Sequence, residues 1–258
     1  MPQIEPQNPS RHSLLSKVPE VTLFFWIIKI CATTVGETGG DALSMSLNLG
    51  YALSSLIFLS IFFITICVQV SAKRYHPFFY WAVVVATTTA GTTMSDFLDR
   101  TAGLGYIYSS ITEFACVLAV LLIWRLTTGK IEFQHITSRK NEIFYWLTIL
   151  IANTLGTALG DFTADDLALG FSRGAALFGA LIAVVAALHY FTRIPKAILF
   201  WSAYVLTRPL GATMGDILTK PKDEGGLDLS RISSSLTIAA LMILLILCTT
   251  CRAERTSP

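Results

Sequence analysis

Glu37 and Asp41 stand four residues apart in "TTVGETGGDALS", at the end of the apolar run "VTLFFWIIKICA". The same aspartate position recurs as Asp96, Asp161 and Asp216. In turn, Gly40, Ser95, Gly160 and Gly215 precede the four aspartates. Carboxylates, threonine hydroxyls and freed backbone carbonyls make an oxygen-only donor set. Such a set suits Mn²⁺, Mg²⁺ or Ca²⁺ better than soft metals. Glu37, Asp41, Asp96, Asp161 and Asp216 are therefore the candidate metal ligands. Three more charges lie inside apolar runs: Lys29, Glu113 and Arg208. An ionisable group within a membrane costs free energy unless it faces a polar interior or a partner. These three are the candidates for proton coupling or ion pairing. Lys29 and Arg208 are expected to pair with carboxylates of neighbouring helices. Glu113, with only Ser109, Ser110 and Thr112 as local polar company, is the candidate proton carrier.

Other chemistries lack their residues. The sequence has no P-loop, no H-E-x-x-H and no G-x-S-x-G, so neither ATP-driven pumping nor enzymatic catalysis is expected. No cofactor is implied beyond a divalent metal ion as substrate, and nothing points to nucleic acid. The four histidines, His12, His76, His135 and His189, are scattered. Cys248 and Cys251 have C-x-x-C spacing at a helix end, without the partners that a zinc or redox site requires.

The elements that position the carboxylates come from composition. Of the 258 residues, 53% are hydrophobic and 14% charged, and the mean hydropathy is +0.61. A soluble domain carries about a quarter charged residues. Eight apolar runs, at 22–43, 48–70, 78–97, 104–124, 143–163, 169–190, 198–217 and 231–250, approach the ~20 residues that cross a bilayer core. The polar, proline-bearing first 20 residues show no cleavage-site pattern, so the first span is expected to be a retained anchor. Lys73, Arg74, Lys130, Arg139, Lys140, Arg193 and Lys196 fall in one set of loops, whereas the opposite loops hold only Arg100, Lys220 and Lys222, with many aspartates. Basic residues near span ends stay in the cytoplasm, which places both termini there.

Four segments align without a gap: "WIIKICATTVGETGGD" (26–41), "WAVVVATTTAGTTMSD" (81–96), "WLTILIANTLGTALGD" (146–161) and "WSAYVLTRPLGATMGD" (201–216). In each, Gly follows Trp by ten residues and Asp follows it by fifteen. On a helix these positions fall within an arc of about 140°, a small, polar stripe with a carboxylate near its outer end. If the Trp marks the cytoplasmic interface, the Asp lies about 22 Å away, in the outer third of the membrane. Glycines at this spacing serve close helix packing or local unwinding that frees carbonyls for an ion. The aspartates either cap the next helix or face a shared polar cavity. Threonine hydroxyls on the stripe either bond their own helix carbonyls or line a hydrated path. Gly and an aromatic residue recur after the first three aspartates, as Gly50-Tyr51, Gly105-Tyr106 and Gly170-Phe171, whereas the fourth copy has a longer, charged loop. Arg208-Pro209 is expected to kink the seventh helix.

The chain thus reads as an all-α integral membrane protein with eight transmembrane helices. They form four parallel, pseudo-symmetric two-helix repeats at about 21–76, 77–135, 142–194 and 197–252. Cytoplasmic tails at 1–20 and 253–258 flank the membrane domain 21–252. Helices one, three, five and seven are expected to face one another, with the even-numbered helices around them. Four tandem two-span repeats with this Trp and G-x-x-x-[GS]-D pattern resemble a bacterial membrane-protein family known as a repeat of unknown function, over residues 22–250. That likeness implies a multi-pass topology in a bacterial inner membrane. More loosely, "GETGGD" is similar to the E-x-G-D motifs of manganese and calcium exchangers. The spacing here is one residue longer, the usual Lys-Thr is absent, and that family has fewer, inverted repeats. The function expected is transport of an inorganic cation, Mn²⁺ foremost, with proton-coupled export as one mode. The alternative is a non-transporting sensor, scaffold or assembly factor whose motifs are structural. The partners implied are the lipid bilayer and the cation, and a homo-oligomer is compatible with the sequence.

Overall fold

The computed structural model describes residues 18–72, 75–131, 136 and 138–256. Residues 1–17 of the expected N-terminal tail lie outside the described residues, as do Lys73, Arg74 and the last two residues. Each aligned segment forms the end of a long helix: α1 Leu23–Asp41, α3 Pro77–Asp96, α5 Arg139–Asp161 and α7 Lys196–Thr219. The intervening helices are α2 Gly50–Ser71, α4 Gly105–Thr128, α6 Gly170–Phe191 and α8 Arg231–Thr256. Helix starts follow local chemistry. The Thr22 hydroxyl accepts from the Phe25 amide at 3.3 Å, and Ser138 caps Asn141 at 3.2 Å. Pro77 occupies the first turn of α3, where no amide bond is lost.

α1, α3, α5 and α7 close into a ring, α1 on α3, α3 on α5, α5 on α7 and α7 on α1. Each outer helix packs chiefly on the inner helix of the following repeat: α2 on α3, α4 on α5, α6 on α7 and α8 back on α1. The sequence repeat is therefore a hairpin that straddles two packing units, and α8 closes the circle.

The motif glycines make the ring possible. A methyl group on Gly91 would lie 2.9 Å from the Asn153 Cβ and 3.0 Å from the main chain beside it. Gly36 meets the Thr88 main chain at 2.9 Å, Gly156 meets Pro209 at 3.0 Å, and Gly211 meets the Thr33 main chain at 3.0 Å. Each glycine ten residues after a Trp thus faces the residue seven after the next Trp, against its main chain at Gly36, Gly91 and Gly211 and against side-chain atoms of Arg208 and Pro209 at Gly156. The helices run as α-helix through Gly36, Gly40, Gly156 and Gly160, so these glycines pack and do not unwind. α7 likewise continues through Pro209.

The bends lie just beyond the aspartates. Single π-helical turns, Ala42–Ser46, Phe97–Thr101 and Phe162–Asp166, follow Asp41, Asp96 and Asp161. The chain then reverses at Gly50, Gly105 and Gly170, with φ of 72°, 72° and 69°, a region costly for a residue with a Cβ. This accounts for the repeated glycine before the aromatic. The fourth copy has no π-turn. Its helix runs to Thr219, and the Leu227 and Leu229 amides bond back to the Ile217 and Leu218 carbonyls at 2.7 and 2.9 Å.

Among the described residues, five helices are long and apolar enough to cross a membrane: α2, α4, α5 extended to Asp166, α6, and α8 to Cys251. α1, α3 and α7 have 19, 20 and 24 residues but miss that standard. Length is not what they lack. Their buried Thr, Gly and charged residues dilute the apolar content and face the ring interior. The outer helices show the reverse pattern, with Leu56, Phe63, Leu126 and Leu236 each more than 60% exposed. At the Trp end, Phe25, Tyr80, Tyr145 and Phe200 are buried with Trp81, Trp146 and Trp201 in one aromatic cluster. These tryptophans pack inward.

Candidate functional site

Above the aromatic floor the ring interior is built in layers, each contributed by equivalent residues of the four inner helices. Thr33, Thr88, Asn153 and Arg208 form one layer, all fully buried. Glu37, Thr92, Thr157 and Ala212 form the next, and the four aspartates lie beyond it. Most stripe threonines bond the carbonyl four residues back, as Thr34 does to Ile30 at 3.0 Å and Thr154 to Leu150 at 3.0 Å. Some also reach across the ring: Thr88 donates to the Ala32 carbonyl at 3.1 Å, and Thr33 to that of Thr207 at 3.2 Å.

Arg208 spans the interior. Its Nη2 donates to Glu37 Oε2 at 2.9 Å, to Thr157 Oγ1 at 2.7 Å and to Thr92 Oγ1. Nη1 donates to the Thr33 carbonyl at 3.4 Å. One guanidinium therefore ties all four inner helices together. The expected Arg208–carboxylate pair is present, and its partner is Glu37.

Lys29 departs from expectation. Its ammonium is fully buried and meets no carboxylate among the described residues. It lies over the Tyr204 ring, 4.2 Å from the centroid. The reason is vertical distance: Glu37 is two turns away along α1, beyond the reach of an ammonium held in the layer of Tyr204.

The four aspartates divide into two pairs. Arg100 bridges Asp96 at 3.3 Å and Asp161 at 3.1 Å. Lys220 bridges Asp216 at 3.4 Å and Asp41 at 3.7 Å, and Arg231 adds a contact to Asp41 at 3.6 Å. None of Asp41, Asp96 and Asp161 makes a side-chain cap bond to the turn that follows, so capping does not explain them. Burial works against the Lys220 charge, but Asp216 and Asp41 outweigh it and hold the ammonium's pKa above a lysine's ordinary range. Three carboxylates nonetheless converge: one oxygen each from Glu37, Asp41 and Asp216 lie within 4.8 Å of one another. Asp96 and Asp161 are outside that cluster. Glu113 is elsewhere, on outer helix α4, buried with neither carboxylate oxygen bonded. Asp99, in the π-helical turn after Asp96, accepts from Ser95 at 3.1 Å.

Sequence reasoning passed over Arg100 and Lys220 as loop residues. The signal was present, because both follow a motif aspartate by four residues, one helical turn. Met45 and Asp165 hold the equivalent places in the first and third repeats. The backbone is therefore four-fold, while the charge pattern is two-fold. No curated protein and no solved structure matches the chain. The four copies are reflected in one comparison: a family model described as "Repeat of Unknown Function (DUF347)" matches residues 24–75, 79–130, 144–194 and 199–256, and the chain belongs to that family.

Proposed function

We propose that the protein transports a hard divalent cation, Mn²⁺ foremost, across a bacterial plasma membrane, with Glu37, Asp41 and Asp216 as the binding groups. The observation that carries this reading is the convergence of three buried carboxylates, two of which, Asp41 and Asp216, are bridged by the Lys220 ammonium. A tethered ammonium in such a place is an internal competitor for a cation. Lys220 follows the last residue of α7 and keeps some solvent access, its side chain 12% exposed. It can withdraw outward as a metal enters, leaving three hard oxygen donors and nearby threonine hydroxyls. Asp96 and Asp161 serve as a second, Arg100-bridged pair in this scheme, and Glu113 or Glu37 carries the coupled proton.

The test is Mn²⁺ uptake by proteoliposomes holding the full chain, with Mn²⁺ titration of the same preparation. Asp41→Asn and Asp216→Asn should each cut flux and affinity at least tenfold. Lys220→Met should tighten Mn²⁺ binding by removing the competitor. Absence of saturable binding and flux in the wild type would sink the reading. A second reading has its own support, since each of these carboxylates already has a cationic neighbour. A sensor or scaffold held by a structural ion-pair network predicts that Asp41→Asn lowers stability and leaves no metal response to lose.

A further inference from the structure

The half of the ring on the Trp side of Arg208 has the opposite chemistry from the carboxylate half. Four buried donors there have no acceptor: Lys29 Nζ, Tyr204 Oη, Trp201 Nε1 and Arg208 Nε. Trp201, Tyr204 and Arg208 are spaced i, i+3 and i+7, so they share one face of α7. Lys29 approaches from α1, which packs on α7. The Trp201 and Tyr204 rings are 5.7 Å apart, and Lys29 sits over Tyr204 at 4.2 Å. Arg208 spends its Nη2 on Glu37 and the two threonines, which leaves Nε directed elsewhere.

Unmatched buried donors are costly, and a buried ammonium without a counter-ion more so. Aromatic contact offsets part of that cost but supplies no acceptor. An anion beside Lys29 and Tyr204 answers both of those groups at once. Lys29, Tyr204, Thr33, Val84 and Ile149 are all fully buried, so a ligand held among them must be an ion of few atoms. We propose that the inner half of the ring binds a small monovalent anion of the halide class, held by Lys29 and Tyr204 with Arg208 above it. Such a site would neutralise the Lys29 layer independently of any cation at the carboxylates, and its test does not rely on the transport reading.

The experiment is thermal unfolding of the purified full chain in detergent, in sodium bromide or chloride against sodium gluconate at matched ionic strength. A ligand that binds only the folded state raises Tm with its concentration. The wild type should therefore melt higher in halide, in a saturable manner. Lys29→Met should weaken the apparent halide affinity by at least about tenfold. In gluconate this variant should melt higher than the wild type, because it removes an uncompensated charge. Tyr204→Phe, which keeps the ring and removes the hydroxyl, should weaken halide affinity by a smaller factor. Equal Tm of the wild type in halide and gluconate would overturn the proposal in favour of an uncharged lysine or a bridging water. So would a halide response unchanged in Lys29→Met. If Lys29→Met fails to fold, the wild-type titration and Tyr204→Phe decide the matter.

Discussion

Arg208 is the residue on which the ring interior turns. It is fully enclosed, bonds Glu37, and touches a residue of every inner helix. Removing one member of a buried ion pair leaves the other uncompensated, at a cost of about 3–5 kcal/mol, whereas replacing both by neutral groups is often close to neutral. Arg208→Met alone should therefore lower thermal stability by that order. Glu37→Gln with Arg208→Met should recover most of it, and the interaction energy is read from the double-mutant cycle. Additive losses in the cycle would show that the pair is not coupled as the geometry indicates. The charged residues of this interior were legible one by one in the sequence, but their partners were not. Glu37 is absent from the other copies and Arg208 replaces Thr or Asn, so each was visible as an exception to its repeat. That the two exceptions meet depends on ring closure between the first and fourth repeats. The ammonium of Lys29 was equally conspicuous, yet its neighbour is an aromatic ring, because the residue at its level on α7 is Tyr204.

At the scale of the element, the Gly ten residues after each Trp was recognisable as a packing position, and the structure shows what it packs against. At Gly91 an added Cβ would meet main-chain atoms at 3.0 Å, which cannot rotate away. Gly91→Ala should destabilise by about 1–3 kcal/mol, the usual cost of overpacking. Gly179, on outer helix α6, has nothing within 4 Å of the same position, and Gly179→Ala should gain up to about 1 kcal/mol from helix propensity. Thermal melts of the two single variants check the opposite signs. The π-turns after three of the four aspartates were not legible, because nothing in "ALSMS", "FLDRT" or "FTADD" distinguishes a wider turn from an α-turn. Their consequence was visible all the same, in the Gly-aromatic pair that ends each reversal.

At the scale of the whole molecule, four parallel copies could be arranged as a ring or as two pairs, and periodicity is silent between them. Each inner helix carries small residues that receive the next inner helix, so the contact propagates around the bundle and must return to its start. Gly211 meets Thr33 and Gly215 meets the Glu37 side chain at 2.9 Å, just as Gly36 meets Thr88 and Gly40 meets Thr92 at 3.1 Å. The outer layer closes in the same sense through α8, where Ser235 donates to Thr38 at 2.7 Å. This closure joins residues nearly 200 positions apart, and a covalent test can reach it. The position of a Cβ on Gly39 is 3.9 Å from Ser235 Oγ, so side chains at these two positions face each other across the seam. In a background with the five native cysteines replaced, Gly39→Cys with Ser235→Cys should form a bridge on mild oxidation, seen as a mobility shift reversed by reductant. Gly39→Cys with Ser109→Cys should not, because α4 packs on α5. An open arrangement, with the first and last repeats apart, would leave both pairs unbridged.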